Sequence, residues 1–103
     1  MEKKRYLIEL TSYAQDDLED IYNYIKRDSI YYAIKTKNKI EDRISELMYM
    51  PYLGRKLENF DILKPRELIY KSYKIIYSIR SNKIYIHRIL HSARLLSLNS
   101  IKN

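Results

Sequence analysis

The spacing of apolar residues changes once along this chain, and that change limits the fold more than any single residue does. Ala14, Leu18, Ile21 and Ile25 recur at steps of four, three and four, which predicts an amphipathic helix over residues 12–28. Ser12 and Gln15 stand at capping-box spacing at its start. Asp16, Asp17, Glu19 and Asp20 fill its first turns and Lys26 and Arg27 its last, the polarity that a helix dipole favours. Ala33, Lys37, Ile40, Ile44 and Leu47 repeat the stripe over residues 30–50, with Lys37 its one polar member. Asp28 or Ser29 caps this second helix, Met50-Pro51 stops it, and Gly54 punctuates the loop beyond. A turn this short between two helices makes an antiparallel hairpin. Before the hairpin, the apolar, β-branched run "RYLIELT" (5–11) reads as a strand.

From Arg66 onward the period is two. "RELIYKSYKIIYSIRSNKIYIHRIL" reads as three strands, with turns near Lys71-Ser72 and at Ser81-Asn82. A two-residue second turn sets Arg80 opposite Lys83, and counting then places Tyr73, Ile75, Tyr77, Ile79, Ile84, Ile86 and Leu90 on one face, interrupted by Arg88. That face packs on the helices. The other face collects Lys74, Ile76, Ser78, Arg80, Lys83, Tyr85, His87 and Ile89, a basic and partly aromatic surface. A slip of one residue inverts the faces of the strand it affects. The expected architecture is α+β: an N-terminal strand, then a helical hairpin packed on a mainly antiparallel sheet that ends in a three-strand meander. Residues 1–103 are expected to form one domain, a length with little room for a second core. The absence of cysteine removes disulfides and thiolate metal sites, and no apolar run has the length of a signal peptide or membrane span. A cytoplasmic protein is expected.

The net charge of +7 is unevenly placed. Residues 1–54 carry nine Lys/Arg against ten Asp/Glu, a net of −1, whereas residues 55–94 carry ten against three, a net of +7. The second half therefore attracts polyanions, either nucleic acid or an acidic protein segment.

Both histidines fall in "IHRILHSAR", residues 86–94. On a strand, His87 and His91 lie roughly 13 Å apart, too far to share a zinc ion. No metal or cofactor is expected. His87 sits mid-strand on the mixed face, where it is either an edge-exposed aromatic or a contact. His91 ends the last strand, where scaffolds present reactive groups, and serves there as a general base, a phosphate contact or a turn-fixing hydrogen-bonding group.

Four stretches, "ELTSYAQDDLEDIYNYI", "MPYLGR", "RELIYKSYKIIYSI" and "IHRILHSAR", resemble the RelE/ParE family of bacterial toxins in kind and in order, over residues 6–94. The resemblance implies the strand–helix–helix–meander fold and a cognate antitoxin whose C-terminal segment wraps the toxin. It further implies that operator DNA is reached only through that antitoxin.

The family divides by target. The RelE-like branch cleaves mRNA on the ribosome, which requires a base for the 2′-hydroxyl, an acid for the leaving oxygen and cations for the phosphorane. Lys74 aligns with a strand arginine of that branch and Arg94 with the arginine after the last strand. The Lys-x-Lys pair is replaced by "RELIY", and the tail "LLSLNSIKN" lacks the branch's tyrosine. If the chain is a nuclease, His91 is the proton-transfer group and Lys74 with Arg94 the phosphate clamp. "PYLGR", "RELIY" and "LHSAR" are closer to the ParE-like branch, whose members studied for activity mostly poison DNA gyrase. In that setting Arg66, Lys74, His87 and Arg94 are target-binding candidates, with His91 a contact or scaffold. Arg66 has a structural alternative, pairing with Glu67 or with an acid on the helices. A third reading is an inactive partner kept for antitoxin binding and autoregulation.

Overall fold

A computed structural model describes residues 5–92. In chain order they form β1 (Leu7–Leu10), α1 (Ser12–Lys26), α2 (Ile30–Ser45), a 3-10 turn (Glu46–Met48), β2 (Arg55–Lys56), β3 (Arg66–Tyr70), β4 (Tyr73–Arg80) and β5 (Lys83–His91). The strands make one sheet in the order β1-β5-β4-β3-β2. β1 runs parallel to β5, and the remaining neighbours are antiparallel. The α+β architecture expected from the change of period is present. The two-residue β2 and the docking of β1 beside β5 are additions to it.

The helix stops and starts have local causes. Thr11, one residue before the expected cap, accepts the Ala14 N–H on its hydroxyl at 3.2 Å, while Gln15 reaches back to the Leu10 carbonyl at 3.0 Å. Ser29 caps α2 through the Tyr32 N–H at 3.2 Å. α2 ends at Ser45, earlier than expected, and tightens into the 3-10 turn, where the Glu46 carbonyl accepts both the Tyr49 and Met50 N–H groups. Pro51 disfavours helical geometry at Met50, so the chain unwinds ahead of it. The buried stripe of the hairpin is Ala14, Leu18, Ala33, Ile40, Ile44 and Leu47. Lys37, expected in that stripe, is exposed, and the half-buried Thr36 lies nearer the core.

Against the stripe pack Leu68, Ile75, Tyr77, Ile84, Ile86 and Ile89. Arg80 does oppose Lys83, but the strict count fails at one point. Tyr77 faces Ile86 while Ile76 faces Arg88, leaving His87 as the extra residue of a β-bulge. Beyond it the phase inverts. Ile89 joins the core across from Ile75, and Leu90, expected inside, lies across from Lys74 instead. The bulge forms where β1 has ended and side chains take over the edge of β5. The Thr11 hydroxyl donates to the His87 carbonyl at 3.0 Å, and Asp17 accepts the Ile89 N–H at 2.9 Å. Asp17 also holds Arg88, with Nε at 2.7 Å, so this charge on β5 is answered from α1. No helix among the described residues is long and apolar enough to cross a membrane.

Candidate functional site

The polar residues that the sequence singles out lie on both faces of the sheet, Arg66 with Tyr77 on the helix side and Lys74, Ser78 and His87 on the face turned away from it, and several are tied to the 51–65 loop. Tyr77 extends its hydroxyl to that loop, donating to the Pro51 carbonyl at 2.7 Å and accepting the Gly54 N–H at 2.8 Å. Burial pushes the phenol's pKa up, against the opposing pull of the Gly54 N–H and Arg66, so it keeps the proton it donates. Gly54 is required by this approach. A Cβ there would lie 2.7 Å from Tyr77 Cε1 and 2.8 Å from the Glu67 carbonyl oxygen. Arg66 donates to the Gly54 carbonyl at 2.6 Å and sits 4.9 Å from the Tyr52 ring centre, the geometry of a cation–π contact. It therefore fastens the loop and does not pair with Glu67.

Glu67 is a buried carboxylate, 6% exposed, with two cations. Arg55 Nη2 lies 3.0 Å away and Lys74 Nζ 3.9 Å away. Lys74 is thus a half-buried counter-ion on the outer face. Sequence spacing gave no warning of this cluster, because Arg55 comes from the isolated two-residue β2.

His87 is not the edge-exposed aromatic of the sequence reading. It is 3% exposed, with Nε2 2.9 Å from Ser78 Oγ. Ser78 donates its proton to the Leu63 carbonyl at 2.7 Å, so its oxygen accepts from His87, which fixes the Nε2–H tautomer. Nδ1 is buried without a partner among the described residues. Burial, and then the positive charge of Arg80, holds this imidazole below its usual range. A residue so placed supports the face and is not a surface contact.

His91 ends β5, as expected, and is exposed. The bulge turns it toward the helices. It lies directly across from Tyr73, ring edge to ring face at 5.9 Å, and shares a groove with Asp20, Ile21 and Tyr24 of α1. Lys74 projects from the opposite face, next to Glu67. His91 and Lys74 are therefore not brought together. Arg94 lies outside the described residues. Among the described residues, no group of three or more His, Cys, Asp or Glu side chains is placed to hold a metal ion.

Comparison with known proteins gives the family. The family model for the ParE toxin of the type II toxin–antitoxin system parDE matches residues 8–96. No curated protein sequence matches the chain. Among solved structures, it is similar to a chain of the chromosomal ParDE toxin–antitoxin system from P. aeruginosa. The TM-score is 0.71 and the identity 20%, over 85% of this chain and 97% of the other. It is also similar to a chain of the RelBE2 toxin–antitoxin complex from Mycobacterium tuberculosis. There the TM-score is 0.56 and the identity 20%, over 84% and 98%. At that identity the two structures speak for the fold alone, whereas the sequence model spans most of the chain; the protein belongs to the ParE toxin family of type II toxin–antitoxin systems.

Proposed function

We propose that this toxin inhibits bacterial growth by poisoning DNA gyrase in the cytoplasm and that a cognate antitoxin neutralises it. The observation that carries this reading is the division of the chemical groups between two faces. Lys74 stands by Glu67 on the outer face, and His91 stands by Tyr73 on the helix side. Cleavage of a phosphodiester requires base and cation within hydrogen-bond reach of one reacting group. Recognition of a protein or of its bound DNA has no such requirement. It is served by cations that the sheet and its loop hold in place, and Arg66 and Lys74, on opposite faces, are each so held. Arg66 and Lys74 are accordingly assigned to target contact, Arg94 is assigned there from its place in the sequence, His87 to support of the face, and His91 to a non-catalytic position.

Induced expression in bacteria tests this, with supercoiling, the DNA-damage response and translation followed together. The expected result is a damage response with intact mRNA, and toxicity that largely survives His91→Ala. Translation arrest with mRNA cut at ribosomal A-site codons would overturn it and make His91 the catalyst. Antitoxin binding without any growth defect would replace it with the inactive-partner reading.

A further inference from the structure

We infer that the end of the sheet beneath the helical hairpin is a docking channel with one acidic and one basic half, and that it fixes the direction in which an antitoxin segment lies. The inference rests on the toxin–antitoxin reading above and adds the chemistry of the segment: a basic residue, an apolar middle and an acidic residue, in register with the two halves.

Tyr73 and His91 form the ridge of the channel, since they line both of its grooves. The groove on the α1 side, about 440 Å³, also takes in Asp20, Ile21 and Tyr24. Asp17 lies at its base but is engaged by Arg88 and the Ile89 N–H. Asp20 is different. It is exposed, with no ion-pair partner among the described residues. The groove on the α2 side, about 230 Å³, carries Lys35 and Lys71. Each ammonium lies over a tyrosine ring, Lys35 6.0 Å from the centre of Tyr31 and Lys71 5.7 Å from that of Tyr70. Neither meets a carboxylate among the described residues. Tyr24, 69% exposed, stands close enough to Tyr73 to help burial raise that phenol's pKa, so the acidic groove also has aromatic walls.

The occupant follows from charge complementarity. An ammonium or guanidinium in the first groove meets Asp20 and ring faces, which attract cations. A carboxylate in the second meets two lysines. A segment laid in the reverse direction sets like charges against each other at both ends, and such juxtaposition is what separates right from wrong partners and registers. Grooves of this size suit the side chains of one narrow segment, with the Tyr73–His91 ridge against its apolar middle.

The test uses the full-length toxin and its cognate antitoxin, with dissociation constants for Asp20→Lys, for Lys35→Glu with Lys71→Glu, and for Lys56→Glu on β2 as a remote control. Each channel reversal is expected to weaken binding by roughly fivefold to tenfold, the range for reversing partly exposed charge pairs. Swapping the matching antitoxin charges should restore it. Reversals that do no more than Lys56→Glu overturn the inference. So does a shift in the mass of the isolated toxin on Asp20→Lys, which assigns the channel to a second copy. An altered unfolding temperature of the isolated toxin with unchanged antitoxin affinity also overturns it, assigning the channel to the chain's own C-terminal tail. No antitoxin binding by the unmodified toxin defeats the toxin–antitoxin reading itself and takes this inference with it.

Discussion

The two sides of the sheet use the same residue types for opposite ends. On the outer face, histidine, serine, carboxylate and lysine are buried or half-buried and engaged with one another or with the loop. Glu67 holds Lys74 and the exposed Arg55, and His87 holds Ser78. At the helix-side end, Asp20, Tyr24, Lys35 and Lys71 are exposed, and no ion pair joins the charges of the two grooves. The contrast separates construction from presentation. Polar groups that are fully matched inside the molecule hold a shape, and those left facing a groove are available to something else.

By that division, substitutions of internally matched groups should cost stability. The largest expected effect is at the seam between the two sides. Asp17→Ala removes the partner of Arg88 and the acceptor of the Ile89 N–H together, both little exposed. Breaking such a pair from one side should cost about 3 kcal/mol, read as a lower urea midpoint. Next is Tyr77→Phe, which leaves the Gly54 N–H and the Pro51 carbonyl without their partner. About 2 kcal/mol is expected, with proteolysis of the 51–65 loop as a second readout. Either variant folding with unchanged stability would break the comparison.

A third measurement sharpens it through pH. The folded His87 pKa lies below the usual 6.5, so the unfolded chain binds its proton more readily. Its contribution to stability is present in full above that value. It is lost as pH falls from there toward the folded pKa. His87→Gln, which keeps a donor for Ser78, should flatten this part of the stability profile between pH 7.5 and 5. An unchanged slope would show that the imidazole is not the group responsible.

The smallest effect concerns neither side. Ser81 opens the last hairpin turn with φ at 54°, a left-handed conformation that side chains disfavour. Ser81→Gly relieves that strain but frees the unfolded chain, so thermal denaturation should show a gain of only about 0.5 kcal/mol.

Much of the fold was legible because it rests on local signals. The change of period gave the hairpin and the meander, and both turns fall where Lys71-Ser72 and Ser81-Asn82 placed them. What escaped depends on distant contacts. β2 has two residues and owes its pairing to Arg66 and Glu67. The bulge at His87 is held by Thr11 and Asp17, more than seventy positions earlier, and no pattern within β5 announces it. That single residue decided the site. Strict alternation would set His91 on the same side as Lys74, and the bulge parts them. The chemical types of the candidates were therefore readable, while their grouping was not. Arg66 shows the same limit: its charge suggested a contact, and its Gly54 and Tyr52 partners are visible only in the folded chain.

The parallel pairing of β1 with β5 has a consequence for how the molecule comes into being. Leu7 lies beside Lys83, so β1 finds its neighbouring strand only when β5 has been made. The sheet is not completed during most of synthesis, and in a polypeptide that stops short of residue 83, β1 has no strand to pair with. Assembly of the sheet thereby waits for β5.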